Sequence, residues 1–235
     1  MGFVEIARGL FALLFFQTSW SFQGRQGLGL KFVLLVTSRT REQRRRIMEH
    51  ARGALNTNPF SAGALVGAIE RAEYDVQELQ TIDRFAVTAQ RVLAAGGDVF
   101  FWQTLRPALT ALAVLLALFG SPFAPFAFLI AFNALTLGTR AIGLRLGYRQ
   151  GRECVPLLQA RFDRWTRTLT LFASVVVGMI LVPALLGGHP LHVSITMLAM
   201  LPLIAVAFIA LRRNVSPTYL LIISLLIFAG LKVIL

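Results

Sequence analysis

Apolar runs separated by polar, glycine-bearing and arginine-rich stretches organise this chain. Met1–Phe16 carries the spacing of an amphipathic helix, with Glu5 and Arg8 three residues apart on one face. At about 15 residues it is short for crossing a bilayer, which takes ~20, and is suited to the interface or to a partner. Gln17–Gly29 is polar and aromatic, and Leu30–Val36 is apolar but too short to cross alone. Thr37–Arg52 is the strongest charge block, holding Arg39, Arg41, Arg44, Arg45, Arg46 and Arg52. Asn56–Phe60 predicts a turn or helix break. Ala62–Ile69 predicts a small-residue helix. Glu70–Arg91 predicts a charged helix outside the hydrocarbon, and Ala94–Asp98 a loop opening into Phe100–Pro107.

Two apolar arms follow, Ala108–Phe119 and Phe126–Leu137, broken by Gly120, Ser121 and Pro122. Each is about 12 residues, below the ~20 of a straight span. They form either a re-entrant hairpin or two spans lengthened by their flanks, and short interrupted apolar segments point to a transporter's site. Arg140–Arg167 is basic. Three fuller spans are expected at Thr168–Leu186, Ile195–Leu211 and Tyr219–Leu235. Loop arginines favour the cytoplasmic side, which puts Arg140–Arg167 and Arg212–Arg213 together and the C-terminus outside, with Lys232 snorkelling to the far interface.

Composition supports a bilayer as solvent. Of the 235 residues 56% are hydrophobic and only 14% charged, and the mean hydropathy is +0.69. Soluble domains are about 25% charged. The net charge of +12 sits between and at the ends of apolar runs, as in a membrane protein's cytoplasmic edges rather than a nucleic-acid surface. The single Cys154 excludes an internal disulfide, and His50, His189 and His192 lack zinc-ligand spacing. No metal or cofactor site is expected. Glu5 and the absence of a small-residue cleavage pattern argue against reading Leu10–Phe16 as a signal peptide core. The expected fold is an all-α integral membrane protein, a polytopic helical bundle with broken or re-entrant helices and amphipathic cytoplasmic helices. It is one membrane-embedded domain over 1–235, with amphipathic, re-entrant and cytoplasmic helices in 1–104 and the transmembrane bundle in 105–235.

Several side chains are candidates for chemistry. Asp98 lies beside the apolar arms, where a carboxylate is costly and functional by default. It accepts hydroxyl donors of a ligand, caps a helix starting near Phe100, or pairs with an arginine. Trp20 and Trp102 suit stacking on a ligand's C–H face, interface anchoring, or core packing. Gln17, Gln26, Asn56 and Asn58 offer donor and acceptor together, for hydroxyl groups or for backbone left unpaired at helix breaks. Arg106 and Arg140 mark the cytoplasmic boundary or a partner face. His50, on the same face, is structural or a proton carrier, and Asn133 is suited to a bond across helices or to reaching a ligand.

The motifs resemble those of one family. Gln17-Thr18-Ser19-Trp20-Ser21-Phe22 with Gln26 and Gly29, His50 followed by Asn56-Thr57-Asn58-Pro59-Phe60, Gly97-Asp98 with Phe101-Trp102 and Arg106-Pro107, Phe132-Asn133 with Thr139-Arg140, Gly143 and Gly147-Tyr148, and Leu211-Arg212-Arg213 with Val215 and Pro217 occur in order. Together they resemble the IID subunit of mannose/fructose/sorbose-type phosphotransferase permeases. The resemblance implies a multi-pass protein of the bacterial plasma membrane. It implies a hetero-oligomer with a IIC subunit that translocates a hexose, served by cytoplasmic IIB and IIA phosphocarriers, with no phosphorylated or catalytic residue in this chain. Ser21, Gln23, Val99 and a missing Gly-Pro before Asp98 depart from the family pattern. A second reading therefore stays open: a divergent, non-transporting member that acts as a regulatory or scaffolding membrane partner.

Overall fold

The computed structural model describes residues 2–49 and 54–185. His50, Arg52 and the expected spans Ile195–Leu211 and Tyr219–Leu235, with Arg212–Arg213 and Lys232, lie outside the described residues, as do the last residue of Thr168–Leu186 and both His189 and His192. The described residues are helical: α1 Phe3–Leu14, α2 Gly27–Thr37, α3 Arg41–Glu49, α4 Ala62–Tyr74, α5 Leu79–Asp98, a π-helical segment Val99–Leu105, α6 Arg106–Leu118, α7 Ala124–Gln150, a 3₁₀ turn Gly151–Glu153, and α8 Cys154–Leu185. Among them there is no strand, only isolated bridges from Arg25 to Ser21 and Leu55.

One expectation changes here. Ala94–Asp98 is not a loop but the end of α5, and the helix runs on without a break from Leu79 to Leu118. Asp98 therefore caps no helix. Each apolar arm is the end of a longer helix, and Leu79–Leu118 and Ala124–Ile180 are both long and apolar enough to cross a membrane by length and composition.

The chain divides into two compact units. The first comprises Met1–Arg106 and Leu129–Thr166. Its centre is α4, whose residues Ala62–Glu70 are all buried. Glycine explains how α4 lies against α7. A Cβ on Gly63 would meet the Arg140 carbonyl oxygen at 2.3 Å, one on Gly67 the Leu144 oxygen at 2.2 Å, and one on Gly147 the Ala64 oxygen at 2.2 Å. Paired small-xxx-small faces let the two backbones touch, which suits association in lipid, where apolar burial alone gives no driving force.

Around α4 the basic helix α3 is held by charge and caps. Gln43 Oε1 accepts the N–H of Thr40 at 3.2 Å while Gln43 N–H donates to Thr40 Oγ1 at 3.1 Å, a reciprocal capping box. Arg46 Nε lies 3.3 Å from Glu73 Oε2 of α4, a pair whose Glu73 side chain is 1% exposed.

The end of α4 is a Schellman motif: Val76 N–H donates to Glu73 O at 3.2 Å and Gln77 N–H to Ala72 O at 3.1 Å. Such a motif puts one residue in the left-handed region, and here that residue is Val76, at φ 51°.

The second unit comprises Pro107–Phe128 and Arg167–Leu235, the latter described as far as residue 185. Its small core joins Ala111 and Leu115 of α6 to Val176 of α8, with Met179 and Ile180 beside them. Here α6 ends in the same motif with the residue it favours, Gly120 at φ 77°.

Candidate functional site

The turn before α4 brings amide, carboxylate and aromatic groups together. Asn58 is 1% exposed. Its Oδ1 accepts the Phe60 N–H at 3.0 Å, an Asx turn onto its own backbone, and its Nδ2 donates to Asp98 Oδ1 at 2.8 Å. The Phe60 bond occupies the acceptor, so the amide is oriented with its donor toward the carboxylate. Gly97 makes this approach possible, because a Cβ there would come within 2.5 Å of Asn58 Cβ. Gly96 does the same for Gln159 of α8, whose Oε1 lies 1.8 Å from the position such a Cβ would take. Ser61 Oγ bonds the Leu93 carbonyl at 3.1 Å and fastens the turn to α5. Asp98 is exposed, and its second carboxylate oxygen has no partner among the described residues.

Beyond Asp98 the helix widens. Arg106 N–H donates to Phe101 O, five residues back, and Pro107 follows. A proline inside a helix has no N–H and crowds the preceding turn, a common cause of such distortion. The π segment carries Phe101 and Trp102 onto Phe60, with ring centroids at 4.8 and 5.4 Å. Phe132 of α7 meets Phe60 edge-on at 5.7 Å and Trp102 at 6.4 Å. Trp102 remains 40% exposed, so part of its ring is available to a ligand. Two guanidiniums flank the aromatics: Arg106 is 5.8 Å from the Trp102 ring and Arg140 is 4.9 Å from the Phe60 ring. Arg140 Nε also donates to the Pro59 carbonyl at 3.3 Å.

Of the residues singled out from sequence, Asn58, Asp98, Trp102, Arg106 and Arg140 meet in this cluster. Gln26 supports it from behind: its amide pairs reciprocally with the Thr57 backbone, at 2.9 Å to Thr57 O and 2.7 Å from Thr57 N. Both bonds are buried, and they satisfy backbone at a helix break. Asn56 enters through its backbone, whose N–H donates to Gln90 Oε1 at 2.7 Å. Gln17 and Trp20 are exposed on the turn after α1 and belong to none of these contacts. Asn133 bonds the Leu129 carbonyl of its own helix at 2.8 Å, not another helix. Phe60 and Phe132 were not singled out as site residues, although both stand in motif blocks. Among the described residues no three His, Cys, Asp or Glu side chains gather as a metal site requires.

The profile of the PTS system mannose/fructose/sorbose family IID component matches residues 5–235. The chain belongs to this IID family. It is 32% identical over 190 residues to the PTS system mannose-specific EIID component of Escherichia coli K12, covering 77% of this chain and 65% of that one. It is 35% identical over 147 residues to the sorbose-specific EIID component of Lacticaseibacillus casei, covering 60% and 52%. The chain thus spans about two thirds of the length of the first relative. The fold resembles a chain in the cryo-electron microscopy structure of the mannose transporter ManYZ with microcin E492, at TM-score 0.57, 24% identity and coverage of 98% of this chain and 96% of that one. It also resembles another membrane protein at TM-score 0.62 and 24% identity, covering 97% and 96%. This IID component is therefore a helical membrane protein of a sugar phosphotransferase system.

Proposed function

We propose that this IID component pairs with a IIC subunit to form the multi-pass unit of the bacterial plasma membrane that binds and translocates a hexose of the mannose class. Cytoplasmic IIB, recharged by IIA, then phosphorylates the sugar. The observation that carries the reading is the Asn58–Asp98 bond beside the half-open face of Trp102. A pyranose offers hydroxyl donors at its rim and C–H groups on its face. A carboxylate with a free oxygen accepts the former through charge-assisted bonds, and an indole covers the latter. Asn58 holds the carboxylate in place while leaving that oxygen free. Arg106 and Arg140, beside the same aromatics, supply further donors to hydroxyl oxygens.

The test is phosphoenolpyruvate-dependent sugar phosphate formation in a strain lacking its own mannose-type permease, with this chain co-expressed with its cognate IIC, IIB and IIA. Wild type forms sugar phosphate, and Asp98→Asn and Trp102→Ala lose it while still assembling in the membrane. A stable IIC–IID complex that forms no sugar phosphate sinks the reading and favours a regulatory or scaffolding member.

A further inference from the structure

A cavity of about 250 Å³ lies between α1, the end of α2 and α3, and its lining includes Glu5, Arg8, Thr37, Ser38, Arg39 and Arg44. Its charges do not balance. Arg39 Nη2 pairs with Glu5 Oε2 at 2.8 Å, the side chains being 28% and 32% exposed. Arg44 Nε donates to Ser38 Oγ at 3.2 Å and meets no carboxylate among the described residues. Arg8 makes no ion pair with a described residue either. Three guanidiniums face Glu5 in the lining and Glu70 behind the lining Thr37, so at least one positive charge is left around one small space.

Like charges held this close repel one another, and they are held from three different elements. The chemistry that relieves them is an anion with several oxygens, since each guanidinium presents a planar fork of donors that matches phosphate. The carbonyl end of α2 opposes an anion, so the arginines have to outweigh it. Drug-sized ligands need roughly 300–1,000 Å³, and this smaller space suits one phosphoryl group. We propose that the cavity binds a phosphoryl group, supplied either by an anionic phospholipid headgroup or by free phosphate. The proposal goes beyond the sugar reading and shares no residue with it.

The test uses the full chain purified in detergent. One arm titrates short-chain phosphatidylglycerol, with phosphatidylcholine as the neutral-headgroup comparison, and the other titrates inorganic phosphate. Bound ligand is counted by native mass spectrometry and thermal shift. The expected result is saturable one-to-one binding of phosphatidylglycerol or phosphate, weakened at least fivefold in Arg8→Gln/Arg44→Gln and unchanged in Arg41→Gln, which removes one charge of the same block outside the cavity. Glu5→Gln, which removes the carboxylate of the lining, tightens binding severalfold, a gain that a misfolded pocket cannot produce. Binding of phosphatidylglycerol alone assigns a lipid headgroup, and displacement of the lipid by phosphate assigns free phosphate. No saturable binding of either, or an equal loss in Arg41→Gln, overturns the proposal.

Discussion

Asn58 Nδ2 and Asp98 Oδ1 stand 2.8 Å apart, joining the turn before α4 to the end of α5 across 40 positions of sequence. The amide spends its acceptor on Phe60 and its donor on Asp98, so each change to this pair has its own signature.

Asp98→Asn keeps an acceptor opposite Asn58 and is expected to cost less than about 1 kcal/mol. Asn58→Ala leaves the Phe60 N–H without its partner and costs about 1–3 kcal/mol. Thermal unfolding in detergent separates the two. Sugar phosphate formation falls more than tenfold in both. An Asp98→Asn protein as unstable as Asn58→Ala shows that the carboxylate is structural.

Gly67→Ala places a methyl group 2.2 Å from the Leu144 carbonyl oxygen, where only backbone movement makes room. It is expected to lower stability by about 1–3 kcal/mol, the range of overpacked cores. Gly138→Ala, on the same partner helix with nothing within 4 Å, is neutral or slightly stabilising. Unfolding midpoints of the two variants check the contrast.

Val76→Gly is expected to stabilise the first unit. A β-branched residue at φ 51° bears a left-handed conformation that costs ~1–2 kcal/mol. Part of the gain is offset by glycine's greater freedom in the unfolded chain, leaving a rise of about 1 kcal/mol. A lower midpoint for this variant would falsify the strain at the α4 end.

Stability should fall as pH rises from 4.5 to 7. Burial pushes the Glu70 carboxyl up from 4.5 to about 7, against the lowering effects of Thr37 and Arg39. The unfolded chain releases this proton near 4.5 while the folded one keeps it to about 7. The extra stability is complete below 4.5 and lost by about 7, on the order of 3 kcal/mol. Thr37 Oγ1 contacts Glu70 Oε1 and also lies 2.9 Å from the Val33 carbonyl. One hydroxyl proton cannot serve both, which fits a carboxyl that carries its own proton. Glu70→Gln should flatten the profile between pH 5 and 7.5 in detergent unfolding experiments.

The sequence made much of this legible. The Asn56–Phe60 break, the apolar arms and the membrane environment follow from local composition, and the order of motif blocks points to the IID family. The Ala94–Asp98 loop expectation failed for a tertiary reason. Gly96 and Gly97 look like helix breakers in sequence, but each is where a side chain from elsewhere, Gln159 or Asn58, comes too close for a Cβ. The π segment was hidden as well, because nothing in Val99–Leu105 except the proline that follows marks a widened turn. Spacing could have revealed the α4–α7 crossing, since Gly63 and Gly67, and Gly143 and Gly147, each repeat at an interval of four. The Glu70–Thr37 contact joins residues 33 apart and left no local trace.

The glycine crossing of α4 and α7 also limits how this chain can drift in evolution. An interface of side chains can answer one substitution with another, a large residue here offset by a small one opposite. Where main chain rests on main chain there is no rotamer to change and no volume to exchange. Gly63, Gly67 and Gly147 therefore admit no neighbouring step in sequence space unless the helices themselves move apart, while the aromatic cluster a few residues away can change by ordinary repacking. The part of the molecule free to acquire a new preference is thus carried on a part with almost no alternatives.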